Sequence, residues 1–222
     1  MAKPTDASAA PRAPLSRERV LHAAMTLVDE GGIEALRMRK LAQELGVEAM
    51  SLYNHVANKD DILDGIVDLV AREFALPADG ADWKTALRLC AISAHEALSR
   101  HPWAGGLWMS DRKVSPARLR HGDAMLRTLR EAGFSKDLTY HAFHILQSHV
   151  LGFTLQRENF PFDKEELKEL AATFLREFPG DEYPYLAEHI EQHVDPSDEH
   201  QGTFTFALDL ILDGLERLRD AG

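Results

Sequence analysis

Apolar side chains recur at intervals of three and four along most of the chain, and no stretch alternates apolar with polar for long enough to form a sheet strand. The first period starts after Ser16, a candidate N-cap, and runs through Val20, Ala23, Ala24, Leu27 and Val28 to a stop at Gly31-Gly32. A second short helix is predicted over 37–45, with Met38, Leu41, Ala42 and Leu45 on one face and Gly46 ending it. A third is predicted over 48–55. A fourth starts at Asn58, which can cap, with Asp60 and Asp61 suited to the positive end of the helix dipole, and runs to about Ala75. Beyond the break at Pro77-Ala78-Asp79-Gly80, the spacing and the Pro and Gly punctuation predict helices over 82–100, 103–110, 115–132, 136–158, 164–177, 184–193 and 203–220. The expected fold class is therefore all-α. It comprises a disordered arm at 1–14, an N-terminal three-helix domain at 15–62 and a C-terminal helical domain at 63–222, with the fourth helix mechanically part of both.

Composition narrows the classes. With 222 residues, 45% of them hydrophobic, the chain can bury a core and is not a disordered protein. No run approaches the roughly 18 apolar residues of a membrane helix, and the Ala-, Pro- and Ser-rich start lacks the apolar core of a secretory leader. Cys90 is the single cysteine, so no intrachain disulfide is expected and a reducing, cytoplasmic setting is predicted. A net charge of −11 argues against a protein that coats nucleic acid indiscriminately. Residues 36–59 are different: Arg37, Arg39, Lys40 and Lys59 outnumber Glu44 and Glu48, so any DNA-reading element belongs there.

In that window two short helices flank Gly46. Ala42 is small where the helices must cross closely, Val47 plugs the corner, and Leu41, Leu45, Leu52 and Val56 are internal. This spacing fits a helix-turn-helix, whose second helix enters the DNA major groove. The exposed chemistry agrees. Arg37, Met38, Arg39 and Lys40 open the first helix, with the basic groups in reach of phosphates. Ala49, Met50, Ser51, Asn54 and His55 lie at the start of the reading helix. There Ser51 and Asn54 can hydrogen-bond, and Ala49 and Met50 can touch a thymine methyl. Tyr53 and Lys59 suit the phosphate backbone.

Residues 15–63 resemble the DNA-binding domain of the tetracycline-repressor family. The likeness is carried by Asp29-Glu30-Gly31-Gly32, Ile33-Glu34-Ala35-Leu36, Arg39-Lys40-Leu41-Ala42, Leu45-Gly46-Val47, Leu52-Tyr53-Asn54-His55-Val56 and Asn58-Lys59. Residues 149–155 and 201–218 are similar to C-terminal helices of the repressor that gives the family its name. The resemblance implies a homodimer formed by a four-helix bundle, with His149, Phe153, Phe204, Leu208, Ile211, Leu212 and Leu215 as candidate dimerisation residues. It also implies double-stranded operator DNA as partner, and a small-molecule effector that shifts the fourth helix and so releases the DNA.

The implied effector is not the family's magnesium–drug complex. The positions matching its histidine contacts are Phe74 or Ala75 and Leu107 or Trp108 here, and the apolar run Trp103–Met109 offers no oxygen for magnesium. A largely apolar ligand is expected, with Phe74, Trp103, Leu107, Trp108, Met109, Met125, Phe143, Leu146, Gln147 and Leu151 as candidate lining residues. No cofactor and no metal ligand are assigned. A metal-responsive regulator stays open as an alternative, because His141 and His144 are three apart, and His189 and His193 four apart, with Glu188 and His200 nearby. An activator rather than a repressor also stays open. No nucleophile elbow, phosphate loop, HExxH or CxxC pair points to an enzyme.

Overall fold

The structure is a computed structural model that describes residues 14–78, 80–110, 115–159, 164–192 and 202–222; the side chains of 109, 110, 158, 159 and 164 are outside that description. The described residues hold helices and turns and no strand. By its internal contacts the chain divides between Ile66 and Val67, within one continuous helix.

The first unit contains α1 (Arg17–Gly31), a 3-10 turn (Ile33–Ala35), α2 (Met38–Leu45), α3 (Ala49–Leu52) and the start of α4 (Lys59–Arg72). The Ser16 side chain accepts from the Arg19 amide at 3.2 Å, satisfying one of the free amides at the start of α1. Gly46 closes α2 in the left-handed region at φ 67°, which a side chain would strain. Its N–H donates to Gln43 O, and the Val47 N–H donates to Ala42 O, each at 3.0 Å. This pair of bonds is the Schellman ending that turns the chain back sharply. Val20, Ala24, Leu27, Leu41, Leu52, Val56, Ile62 and Ile66 form the core of the unit, each nearly or wholly removed from solvent.

Two elements differ from the spacing prediction. The third helix is α-helical only over Ala49–Leu52. Beyond it the amides of Tyr53, Asn54 and His55 reach back three residues, to Met50 O, Ser51 O and Leu52 O, so the segment tightens into 3-10 geometry. The fourth helix stops at Arg72 rather than near Ala75. Glu73 and Phe74 also bond three residues back, and the Ala75 amide is taken by the Ser93 hydroxyl at 2.9 Å.

The second unit contains the end of α4, then α5 (Trp83–Arg100), α6 (Trp103–Ser110), α7 (Pro116–Glu131), α8 (Lys136–Asn159), α9 (Lys164–Glu177), α10 (Pro184–Glu191) and α11 (Thr203–Asp220). Caps form where residue types predict them: Asp82 accepts from the Thr85 amide, and Ser115, ahead of Pro116, accepts from Arg118. α5 and α8 are the central pair, and α6, α7 and α11 pack around them. α9 pairs with α10. Across α5 and α11, Lys84 meets Asp213 and Glu216, and Arg88 meets Asp209, all at 2.6 Å. These pairs are partly exposed, so they set register more than they add stability. No helix of the described residues is long and apolar enough to cross a membrane.

Candidate DNA interface and effector cavity

The turn after α3 is held from the outside by α1. Both terminal nitrogens of Arg17 reach the Asp61 carboxylate at 2.8 Å, and Nη1 also donates to His55 O at 3.2 Å. This fork-on-fork geometry fixes direction as well as distance. Asp61 in turn accepts from the Ala57 amide, and the Asn58 side chain caps the Asp61 amide at 2.8 Å. The hydrogen bond and charge of Asp61 hold the Arg17 pKa above its ordinary value.

On the face so fixed, Arg37, Arg39, Lys40, Met50, Tyr53 and Asn54 are exposed, while Met38, Ala49, Ser51, His55 and Lys59 are half-buried. Met50 is 75% and Tyr53 48% exposed, and they are the only large hydrophobics exposed among the described residues of the first unit. A small unit that covers its other large apolar groups wholly or in part and leaves these two open presents a surface made for contact. Lys59 is less free than its position suggests, since its ammonium donates to Ile33 O at 3.3 Å and ties the start of α4 to the 3-10 turn.

In the second unit a cavity opens between α5, α7 and α8, with the end of α4 and α6 as its remaining walls. Of the predicted lining residues, Phe74, Trp108, Met125, Leu146, Gln147 and Leu151 line it. Sequence reasoning missed Cys90, Ala91, Ala94, Leu98, His121 and Val150. Three predicted residues lie elsewhere. Trp103 is buried beside His101, with ring centres 6.0 Å apart. Phe143 turns toward Gly122 and His144, and Leu107 is half-buried outside the cavity lining. The Met109 side chain is outside the described residues.

The cavity is nearly filled: its free volume is about 30 Å³, room for about two waters and no more. Phe74 stacks on Trp108 at 5.3 Å and meets the edge of His121 at 5.3 Å. The Arg118 guanidinium lies 4.3 Å from the Trp108 ring and donates to Trp108 O. Burial pushes the Cys90 thiol up to about 11 and the His121 imidazole below its usual value, so both are neutral near pH 7.

The end of α4 is anchored to α5 and to the start of α7. Arg100 at 2.6 Å and His101 at 3.2 Å hold the Glu73 carboxylate, and Ser93 donates to Glu73 O. Asp68, largely buried, accepts from the Ala117 amide at the start of α7 and from Arg72. Burial alone would raise its pKa; the Ala117 amide, Ser115 and Arg72 together hold it below the ordinary value.

The predicted dimerisation stripe turns out to be split. Phe204, Leu208, Leu212 and Leu215 are buried inside their own chain, where α11 packs on α5 and α8. His149 reaches Phe204 O at 2.9 Å and stacks on its ring, and Phe153 meets the same ring edge-on. Burial lowers the His149 pKa, against the opposing effect of that carbonyl. Ile211 is half-buried, and the apolar groups left uncovered on α11 are Phe206, Leu210 and Leu218, with Ile145 on α8. Among the described residues no three His, Cys, Asp or Glu side chains converge as a metal site would require. His193 and His200 are outside the described residues.

Residues 20–66 match the family model for bacterial regulatory proteins of the tetR family, and residues 76–219 match that for the tetracyclin repressor-like C-terminal domain. The chain belongs to the tetracycline-repressor family. It is a transcriptional regulator with a helix-turn-helix, and not an enzyme. It is 30% identical to the HTH-type transcriptional repressor DrrR1 of Streptomyces coeruleorubidus over 95% of this chain and 81% of that one. It is 32% identical to the class D tetracycline repressor protein of Escherichia coli over 91% of this chain and 89% of that one. Among solved structures, the regulator SCO7222, a TetR from Streptomyces coelicolor, superposes with a TM-score of 0.77 at 26% identity, covering 93% of this chain and 100% of that one.

Proposed function

We propose that this regulator is a cytoplasmic, homodimeric repressor that leaves a near-palindromic operator when a small, largely apolar ligand enters the cavity of its C-terminal domain. The supporting observation is that one helix serves both ends. Phe74, just past the last turn of α4, is a wall of the cavity, and α4 begins at Lys59 behind the reading segment. The Streptomyces coeruleorubidus and Escherichia coli relatives named above are called repressors, which favours repression over activation. Arg37, Arg39, Lys40 and Tyr53 would grip phosphates, with Met38 beside them. Ala49, Met50, Ser51, Asn54 and His55 would face base edges. Phe206, Leu210, Ile211 and Leu218 on α11, with Ile145 on α8, would form the apolar seam between subunits. Domain limits of 15–62 for DNA and 63–222 for effector and dimerisation accord with this division of labour.

The mechanism follows from volume. Ligand pockets usually offer about 300–1,000 Å³, so a ligand must part the walls of this one, chiefly Phe74 and Trp108. The parted state binds the ligand, the closed state does not, and that difference in affinity shifts the population. Displacing Phe74 displaces α4, and the two heads then lose a spacing of about 34–36 Å, one turn of DNA. The test is selection of random duplex DNA on the full chain at a stated salt near physiological strength. A two-fold-related sequence is expected. A folded chain that enriches no sequence would overturn the operator reading.

A further inference from the structure

The cavity that the proposed function assigns to the effector contains one feature that an apolar ligand alone leaves unexplained. His121 lines it and is only 8% exposed, and its Nε2 is buried with no hydrogen-bond partner among the described residues. A buried polar atom without a partner is costly and uncommon. The other lining residues give it nothing in this state. Most are hydrocarbon, and of the polar ones, the Cys90 thiol, the Gln147 amide and the Trp108 indole N–H, none meets Nε2. No Asp, Glu, Lys or Arg lines the cavity, so a charged ligand would enter without a counter-charge.

We propose that His121 is the polar anchor of the effector site, and that the effector class is an uncharged planar aromatic alcohol whose hydroxyl bonds to Nε2 while its ring slides between Phe74 and Trp108. Three observations select this chemistry. The two rings stack at 5.3 Å with 27° between their planes, a pairing that a flat guest can replace on both faces. The neutral imidazole offers either a proton or a lone pair at Nε2, depending on tautomer. A hydroxyl donates and accepts, so it matches both tautomers; a ketone or an ether matches only one. The lack of lining Asp or Glu, and of lining Lys or Arg, disfavours amines and carboxylates of otherwise similar shape.

This inference rests on the effector reading above, and the experiment separates the two. The full chain is titrated calorimetrically with 2-naphthol and with 2-methylnaphthalene, which differ by a hydroxyl against a methyl of similar size. Release of a fluorescent operator duplex is followed in parallel. The unaltered chain is expected to bind 2-naphthol at least about tenfold more tightly, the value of one buried hydrogen bond. His121→Phe should reduce the difference to less than about twofold, and His121→Gln, which keeps a donor and an acceptor, should restore part of it. Circular dichroism establishes that both variants are folded. Equal affinities in the unaltered chain, a preference that survives His121→Phe, or failure of both probes to bind would each overturn the assignment. A His121-dependent preference for 2-naphthol without operator release would uphold it and overturn the release mechanism instead.

Discussion

The two units treat their polar atoms in opposite ways. Among the described residues, three buried side-chain atoms lack a partner: His95 Nδ1, Ser99 Oγ and His121 Nε2. All three belong to the second unit. In the first, Arg17, Asp61, Asn58 and Lys59 are each bonded to specific groups, and what is left unsatisfied is apolar and on the outside, at Met50 and Tyr53. A reading head needs a rigid frame and an open face. A sensor needs a closed face and an interior that binding can improve. The described residues of the head leave no buried side-chain polar atom unpartnered, while one of the three in the second unit, His121 Nε2, belongs to a residue that lines the cavity.

The comparison breaks most sharply at Leu52, which is wholly buried in a head of few residues. Leu52→Ala should cost about 2–5 kcal/mol, a large part of what so small a unit has. Operator binding should be lost. Trp83, Trp103 and Trp108 are all in the second unit, so tryptophan fluorescence follows that unit while far-ultraviolet circular dichroism follows both. In urea the dichroism should begin to fall well before the fluorescence changes. Coincident transitions at a lower midpoint would show that the units unfold together and that the contrast between them is not thermodynamic.

The head was the more legible of the two from sequence, because its signals are local. Ser16, Asn58 and Gly46 each act on residues within five positions, and all three do what their types predict. The second unit's helices were also legible, but not their faces. α11 is apolar on two sides, and which side faces the chain's own core depends on α5 and α8, which no local pattern encodes. The cavity was half visible. Phe74, Trp108 and Met125 are large and declare themselves. Ala91 and Ala94 line it by being small, and His121 sits in the polar run Arg118–Asp123, where it reads as surface. The shortened α3 reflects hydrogen bonds that tighten by one residue, below the resolution of a 3.6-residue period.

Filling the cavity tests the other side of the contrast. Ala94 is 4% exposed on its wall, and Ala94→Phe should cost about 1–3 kcal/mol by overpacking. It should abolish 2-naphthol binding while the dichroism spectrum keeps its helical form. A variant that still binds the probe would place the ligand elsewhere. Tyr53→Ala should act only on the head, weakening operator affinity by about tenfold, or 1.4 kcal/mol, and shifting urea midpoints little. Lys59→Ala should show both effects, since its ammonium also holds Ile33 O. If Tyr53→Ala lowers stability as much as affinity, the side chain is core and not contact.

The smallest expected effect is the response of the second unit to acid. Burial lowers the pKa of His95, His121 and His149; Arg157 and His149 lower His95 further, while Glu96 opposes them. In the unfolded chain each titrates near 6.5. Between about pH 7 and pH 5 the unfolded state therefore binds protons before the folded state does, and stability rises with pH across that window. The thermal midpoint seen by tryptophan fluorescence should fall between pH 7.5 and pH 5.5, and His121→Phe should flatten the slope. Asp68 and Asp209 have lowered pKa values and contribute their own loss only below about pH 5, where unfolded carboxylates begin to protonate, so they do not enter this window. A fluorescence midpoint that holds or rises on acidification would mean that these imidazoles are already solvated in the folded chain, and the orphaned Nε2 of His121 would then have water as its partner.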